Sequence, residues 1–148
     1  MTTKLTGEIA SYAELIGAAK DDARVLAKMQ ASPHFREQAP FLDPDSGATW
    51  IVVESASDGV RMQFRDGALA KASFEVAGSA HLDAHGEAEH LISGLDLSTA
   101  SKEAVVEQLG APAKRGRTSL QYVIDGVTLT VAFLNDRVRA VTVSDGKR

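Results

Sequence analysis

Leu120-Gln121-Tyr122-Val123-Ile124, Asp125-Gly126, Val127-Thr128-Leu129-Thr130-Val131-Ala132-Phe133, then Asn135-Asp136 and Val138-Arg139-Ala140-Val141-Thr142-Val143 is the stretch that decides the fold. Apolar and polar residues alternate through it, the period of a strand with one buried face. Asp-Gly and the Asn-Asp pair are turn dipeptides between such strands. The reading is three consecutive antiparallel strands.

The same order stands earlier in the chain. Trp50–Glu54 is β-branched and aromatic and reads as a strand. Asp58-Gly59 follows as a hairpin signal, then Val60, Met62 and Phe64 alternating with Arg61 and Gln63, then Asp66-Gly67, then a third strand from Leu69 to Val76. An offset of 69 aligns Phe64, Leu69, Ala72 and Phe74 with Phe133, Val138, Val141 and Val143. Each strand set has a helix before it. Ser11-Tyr12-Ala13-Glu14 is a capping box, and Tyr12, Leu15, Ile16, Ala19, Ala23, Leu26 and Met29 recur at helical spacing. Residues 11–30 therefore read as helix, with a break at Lys20-Asp21-Asp22 where an Asp can cap a second one. Ser101 caps the later helix, whose apolar positions are Val105, Val106 and Leu109, and Gly110 with Pro112 ends it. Pro33, Pro40 and Pro44 mark a long irregular connection, and residues 77–97 read as loop.

The expected fold is α+β: one domain over 1–148, made of two tandem helix–three-strand repeats (about 11–76 and 91–144) joined by loop 77–90. Its six strands form an antiparallel sheet with the helices on one face.

Composition narrows the function. The chain has 148 residues, 44% apolar and 24% charged, an ordinary globular mix. It has no cysteine, which excludes disulfides, thiol catalysis and thiolate metal centres. A net charge of −4 disfavours nucleic acid as the main partner. Met1 to Glu8 shows no secretory signal, and the longest clean apolar run, Trp50–Val53, is too short to cross a membrane. A cytoplasmic location with no membrane partner is expected.

A resemblance adds to this. Ser98 to Pro112, followed by Tyr122, Leu129–Phe133 and Val138–Val141, is similar to the helix–Leu-Gly-x-Pro–strand–strand unit of small outer-membrane assembly lipoproteins and of beta-lactamase inhibitory protein. Glu14–Gly17, Asp21-Asp22, Val25-Leu26 and Gly59–Phe64 resemble the matching unit of bacterial tandem-repeat immunity proteins. The likeness covers about 12–76 and 91–144. No lipobox cysteine accompanies it. It implies a non-enzymatic immunity protein that binds a cognate toxin domain of interbacterial competition and occludes or distorts its active site.

Chemical motifs are sparse. No Gly-x-Ser-x-Gly elbow, Gly-rich phosphate loop or His-Glu-x-x-His helix occurs. His81, His85 and His90, with Asp83, Glu87 and Glu89 between them, form the densest segment. Imidazole and carboxylate suit zinc or nickel, yet the spacings match no metalloprotease motif, and a solvated acidic linker is the simpler reading. Lys114-Arg115-Gly116-Arg117 is a short basic loop. Acids outnumber bases six to two over 37–66 and seven to one over 75–107, a pattern that can steer a basic partner. Trp50 is either a sheet-core anchor or an interface hot spot. Phe41, in the loop before Leu42-Asp43-Pro44-Asp45, is placed to plug a partner's cleft. The expected partner-binding residues are thus Phe41, Asp43, Asp45, Trp50, Asp83, Glu87 and Glu89. No catalytic residue, metal or cofactor is expected. The alternative reading is a small-molecule or peptide-binding module without catalysis; a metal-dependent enzyme centred on the three histidines ranks below both.

Overall fold

A computed structural model describes residues 5–146. Part of the Met1–Glu8 segment read for a leader therefore lies outside the described residues. The order of elements is α1 (Glu8–Ala13), α2 (Ala23–Gln30), β1 (Arg36–Glu37), β2 (Phe41–Leu42), β3 (Thr49–Ser55), β4 (Val60–Arg65), β5 (Ala68–Glu75), α3 (Ala88–Leu91), α4 (Lys102–Leu109), β6 (Lys114–Arg115), β7 (Ser119–Ile124), β8 (Val127–Leu134) and β9 (Arg137–Ser144).

Three hairpins close as their dipeptides dictate. Asp66 and Gly67, Asp125 and Gly126, and Asn135 and Asp136 all take positive φ, the two-residue turn whose twist matches the flanking strands. The Asp58-Gly59 hairpin departs from expectation. Ser55 pairs with Val60, so the connection is four residues long and only Gly59 has positive φ. The Asp58 carboxylate is occupied by the hydroxyls of Ser55 (2.6 Å) and Ser32 (2.5 Å), which holds the wider turn in place.

The strands form one antiparallel α+β sheet in the order β1-β3-β4-β5-β9-β8-β7-β6, with β2 also paired to β3. Nine strands replace the six expected, because three two-residue strands line its margins. β5 and β9 meet in the middle, Ser73 opposite Thr142. Strand pairing shifts register between Gln63 and Phe64 and again between Ala132 and Phe133.

The helix expected over 11–30 is broken. α1 starts at Glu8 from Gly7, not from Ser11, whose hydroxyl donates inside the helix to the Glu8 carbonyl at 2.6 Å. α1 ends at Ala13, and Gly17 (φ 92°) then turns the chain onto the start of β5, which extends past β9 and offers free backbone groups. Gly17 N–H donates to Leu69 O, Leu69 N–H to Ala18 O and Lys20 N–H to Gly67 O, at 2.8–2.9 Å. Asp22 then caps α2 through the Arg24 N–H, as the sequence anticipated. Ser101 caps α4 through the Ala104 N–H, and Gly110 (φ 87°) ends it.

The core joins one phase of every long strand to the helices. Val53, Met62, Phe64, Ala72, Phe74, Leu129, Val131 and Val141 pack with Ile9, Tyr12, Val25, Val105 and Leu109. Alternate strand positions, such as Gln63, Ser73, Thr130 and Thr142, are half-buried. No helix among the described residues is long and apolar enough to cross a membrane.

Candidate functional site

The segment 81–90, expected as a solvated acidic linker within loop 77–90, is in large part a packed strap that runs over 77–87. Leu82 is buried, and the Asp83 N–H donates to Ala56 O (2.8 Å) while the His85 N–H donates to Glu75 O (2.6 Å). Gly59 makes this docking possible. A Cβ there would lie 2.3 Å from the Asp83 carbonyl oxygen.

The strap carries His85 inward. Its ring bonds through Nδ1 to the Asp58 carbonyl oxygen (2.7 Å) and through Nε2 to a Glu8 carboxylate oxygen (2.8 Å). The ring also meets Phe74 edge-on at 5.5 Å. Burial pulls the imidazole pKa down, but the Glu8 hydrogen bond, the Asp58 carbonyl and the Glu8 and Glu87 charges together raise it above the ordinary value. On the other side of Phe74 lies Tyr12, its ring edge-on at 4.9 Å. Lys28 holds its ammonium 4.4 Å above the Tyr12 ring and 2.5 Å from the Ser11 hydroxyl. Burial, with Glu8 and Asp58 nearby, pushes the Tyr12 phenol pKa up. The two serine hydroxyls hold the Asp58 carboxyl pKa below the usual range. Glu8, Tyr12, Lys28, Asp58 and His85, with Phe35, Val60 and Glu87, line a cavity of about 520 Å³.

A pH dependence follows from the raised imidazole. A group with a raised folded-state pKa stabilises fully below its unfolded value, near 6.5. That contribution fades as pH climbs through the folded value. The wild type is expected to lose urea resistance as pH rises above about 6.5, and Glu8→Gln to flatten that slope; equal slopes in both proteins would refute the pairing.

The expected partner-binding residues fall into two groups. Phe41 is not in a loop: β2 pairs it directly with Trp50, because strand-forming Phe41-Leu42 sits opposite the open edge of β3. Phe41 is exposed and Trp50 half-buried, and Trp50 pairs on its other side with Arg65, whose guanidinium lies 4.8 Å over the indole. Cross-strand partners share a face, so the three form one row. Trp50 alternates with core residue Val53 and is not a core anchor. Asp43 folds the next turn, accepting from the Asp45 N–H and the Ser46 hydroxyl, and Asp45 is exposed beside it. Asp83, Glu87 and Glu89 are exposed in and just after the strap, near the Ser55–Val60 turn at the opposite end of β3 and β4. About 20 Å of strand separates the two groups.

His81 and His90 are exposed while His85 turns inward. Among the described residues no group of three or more His, Asp or Glu is placed to hold a metal ion. Lys114-Arg115 is not a loop but edge strand β6, paired with β7.

A second concavity lies over the centre of the sheet. Lys71, Gln121, Thr128, Thr130, Thr142 and Ser144 line a groove of about 550 Å³. Alternation in the sequence tells which residues share a face but not which face stays open. Comparison with protein-family models, with curated proteins and with solved structures returned no match.

Proposed function

We propose that this protein works by binding and not by catalysis, as an immunity protein that covers a cognate toxin domain with the groove side of its sheet. One observation carries the reading. The strand positions opposite in phase to the core hold small and polar side chains, Thr128, Thr130, Thr142 and Ser144 among them, around a broad groove. A sheet packs one face against helices and leaves the other for water or a partner. Small residues with short hydroxyls lose little side-chain entropy on contact and supply hydrogen bonds, which suits a flat docking surface. The Phe41–Trp50–Arg65 row adds an aromatic and arginine anchor, the side chains that dominate interface energetics.

The tandem-repeat reading belongs to the same proposal. The register shifts at Phe64 and Phe133 are separated by the sequence offset of 69. Ser73 and Thr142, also 69 apart, face each other at the β5–β9 junction, and the Thr142 hydroxyl donates to the Ser73 hydroxyl at 3.2 Å. Two copies related by a local twofold axis would pair in this way, with the helices of both on the core side.

The expected outcome of co-expression with a toxin encoded immediately upstream is survival and a stable 1:1 complex. Failure to rescue from any neighbouring toxin would count against the immunity reading. A melting-temperature rise on adding a small ligand, without any protein partner, would favour the small-molecule alternative.

A further inference from the structure

The cavity beneath the strap lies apart from the groove over the sheet. Tyr12 is 5% exposed, its ring fixed between Phe74 and the Lys28 ammonium. Its hydroxyl has no hydrogen-bond partner among the described residues, although the side chain lines the cavity. A phenol hydroxyl that faces the cavity without a protein partner is open to a ligand. The charges around it are unusual. Glu8 is matched by His85, but Asp58 forms no ion pair among the described residues, and neither does Lys28. One carboxylate, with the His34 and His85 imidazoles near it, and one ammonium, neither in a salt bridge among the described residues, thus line the same pocket as Tyr12.

We infer that this pocket binds a small organic zwitterion, a free amino acid carrying one ammonium and one carboxylate. The ligand ammonium donates to Asp58, whose Oδ2 already takes two serine hydroxyls and whose Oδ1 makes no hydrogen bond among the described residues. The ligand carboxylate accepts from the Lys28 ammonium and the Tyr12 hydroxyl. Phe35 and Val60 offer apolar wall to the ligand's side chain. A bare anion would face Glu8, Asp58 and Glu87, and a bare cation would face Lys28 and protonated His85. A dipolar ligand can meet both Asp58 and Lys28 with favourable sign. A cavity of about 520 Å³ is within the range of small-molecule sites.

The site does not depend on the sheet-face proposal, and its test uses no protein partner. Thermal melts are recorded with each common L-amino acid at about 10 mM, and Kd is then measured for those that raise Tm. At least one is expected to bind. Its decarboxylated amine and its N-acetyl derivative are each expected to bind roughly tenfold more weakly, as are the variants Lys28→Met, Asp58→Asn and Tyr12→Phe, since each removes one charge-assisted bond. Lys28→Met and Tyr12→Phe keep the packing, so they remain informative if Asp58→Asn unfolds. No shift with any amino acid, equal binding of the amine or the N-acetyl form alone, or affinity unchanged in Lys28→Met and Tyr12→Phe would overturn the inference.

Discussion

Phe74→Ala is expected to cost about 3–5 kcal/mol of folding stability, the range for removing a buried aromatic ring. Phe74 is fully buried in β5, between Val60 of β4 and Val141 of β9. Its ring is the contact that ties three parts together, edge-on to Tyr12 of α1 at 4.9 Å and to His85 of the strap at 5.5 Å. Deletion leaves a void that the rigid central strands cannot fill, since both neighbours are held by backbone pairing. Domain stabilities of about 5–15 kcal/mol make this a large fraction of the total. A fall in Tm of roughly 10–15 °C is expected at this chain length. Leu134→Ala, at an exposed position, should stay within about 0.5 kcal/mol. A Phe74→Ala protein melting within a few degrees of wild type would refute the central placement of this ring.

Gly59→Ala should be the second severe change, and Gly67→Ala separates its causes. Both glycines have positive φ, 66° and 85°. Any L side chain there costs about 1–2 kcal/mol. At Gly67 nothing lies within 4 Å of an added Cβ, so that cost is the whole effect. At Gly59 the Cβ meets the Asp83 carbonyl oxygen at 2.3 Å and the His85 nitrogen at 2.8 Å. Both are backbone atoms, so the strap itself must lift. The added overpacking brings the expected total to about 3–4 kcal/mol. Hydrogen exchange gives the specific readout. The Asp83 and His85 amides, which bond to Ala56 and Glu75, should lose protection in Gly59→Ala and keep it in Gly67→Ala. Equal losses in the two variants would mean that the strap does not rest on Gly59.

The parts of the fold legible in the sequence are those set by local rules. Alternation placed β4, β5 and β7–β9, and turn dipeptides placed three of the hairpins. Asp22, Ser101 and Gly110 announced helix ends through their own side chains or backbone. What escaped depends on contacts between distant segments. The break read at Lys20-Asp21-Asp22 comes earlier, after Ala13, because Gly17–Lys20 satisfies the start of β5, some fifty residues on, and no local signal carries that. The pocket escaped for the same reason. Glu8 and His85 are 77 positions apart, Tyr12 reads as one more helical core residue, and Asp58 as a turn former. A half-legible clue was the density of charged groups in 81–90. It marked the strap but not which way His85 would face.

The most direct test of the binding proposal is a single substitution in the middle of the groove. Thr130 is half-buried, opposite Gln121 on one side and Thr142 on the other. Thr130→Arg adds bulk and charge to the groove without entering the core, so stability should change by less than about 1 kcal/mol. The measurement is survival and co-purification when wild type or Thr130→Arg is expressed with the toxin encoded beside it. The proposal predicts rescue and a 1:1 complex for wild type, and loss of both for Thr130→Arg at unchanged Tm. Full rescue by a folded Thr130→Arg protein would contradict it.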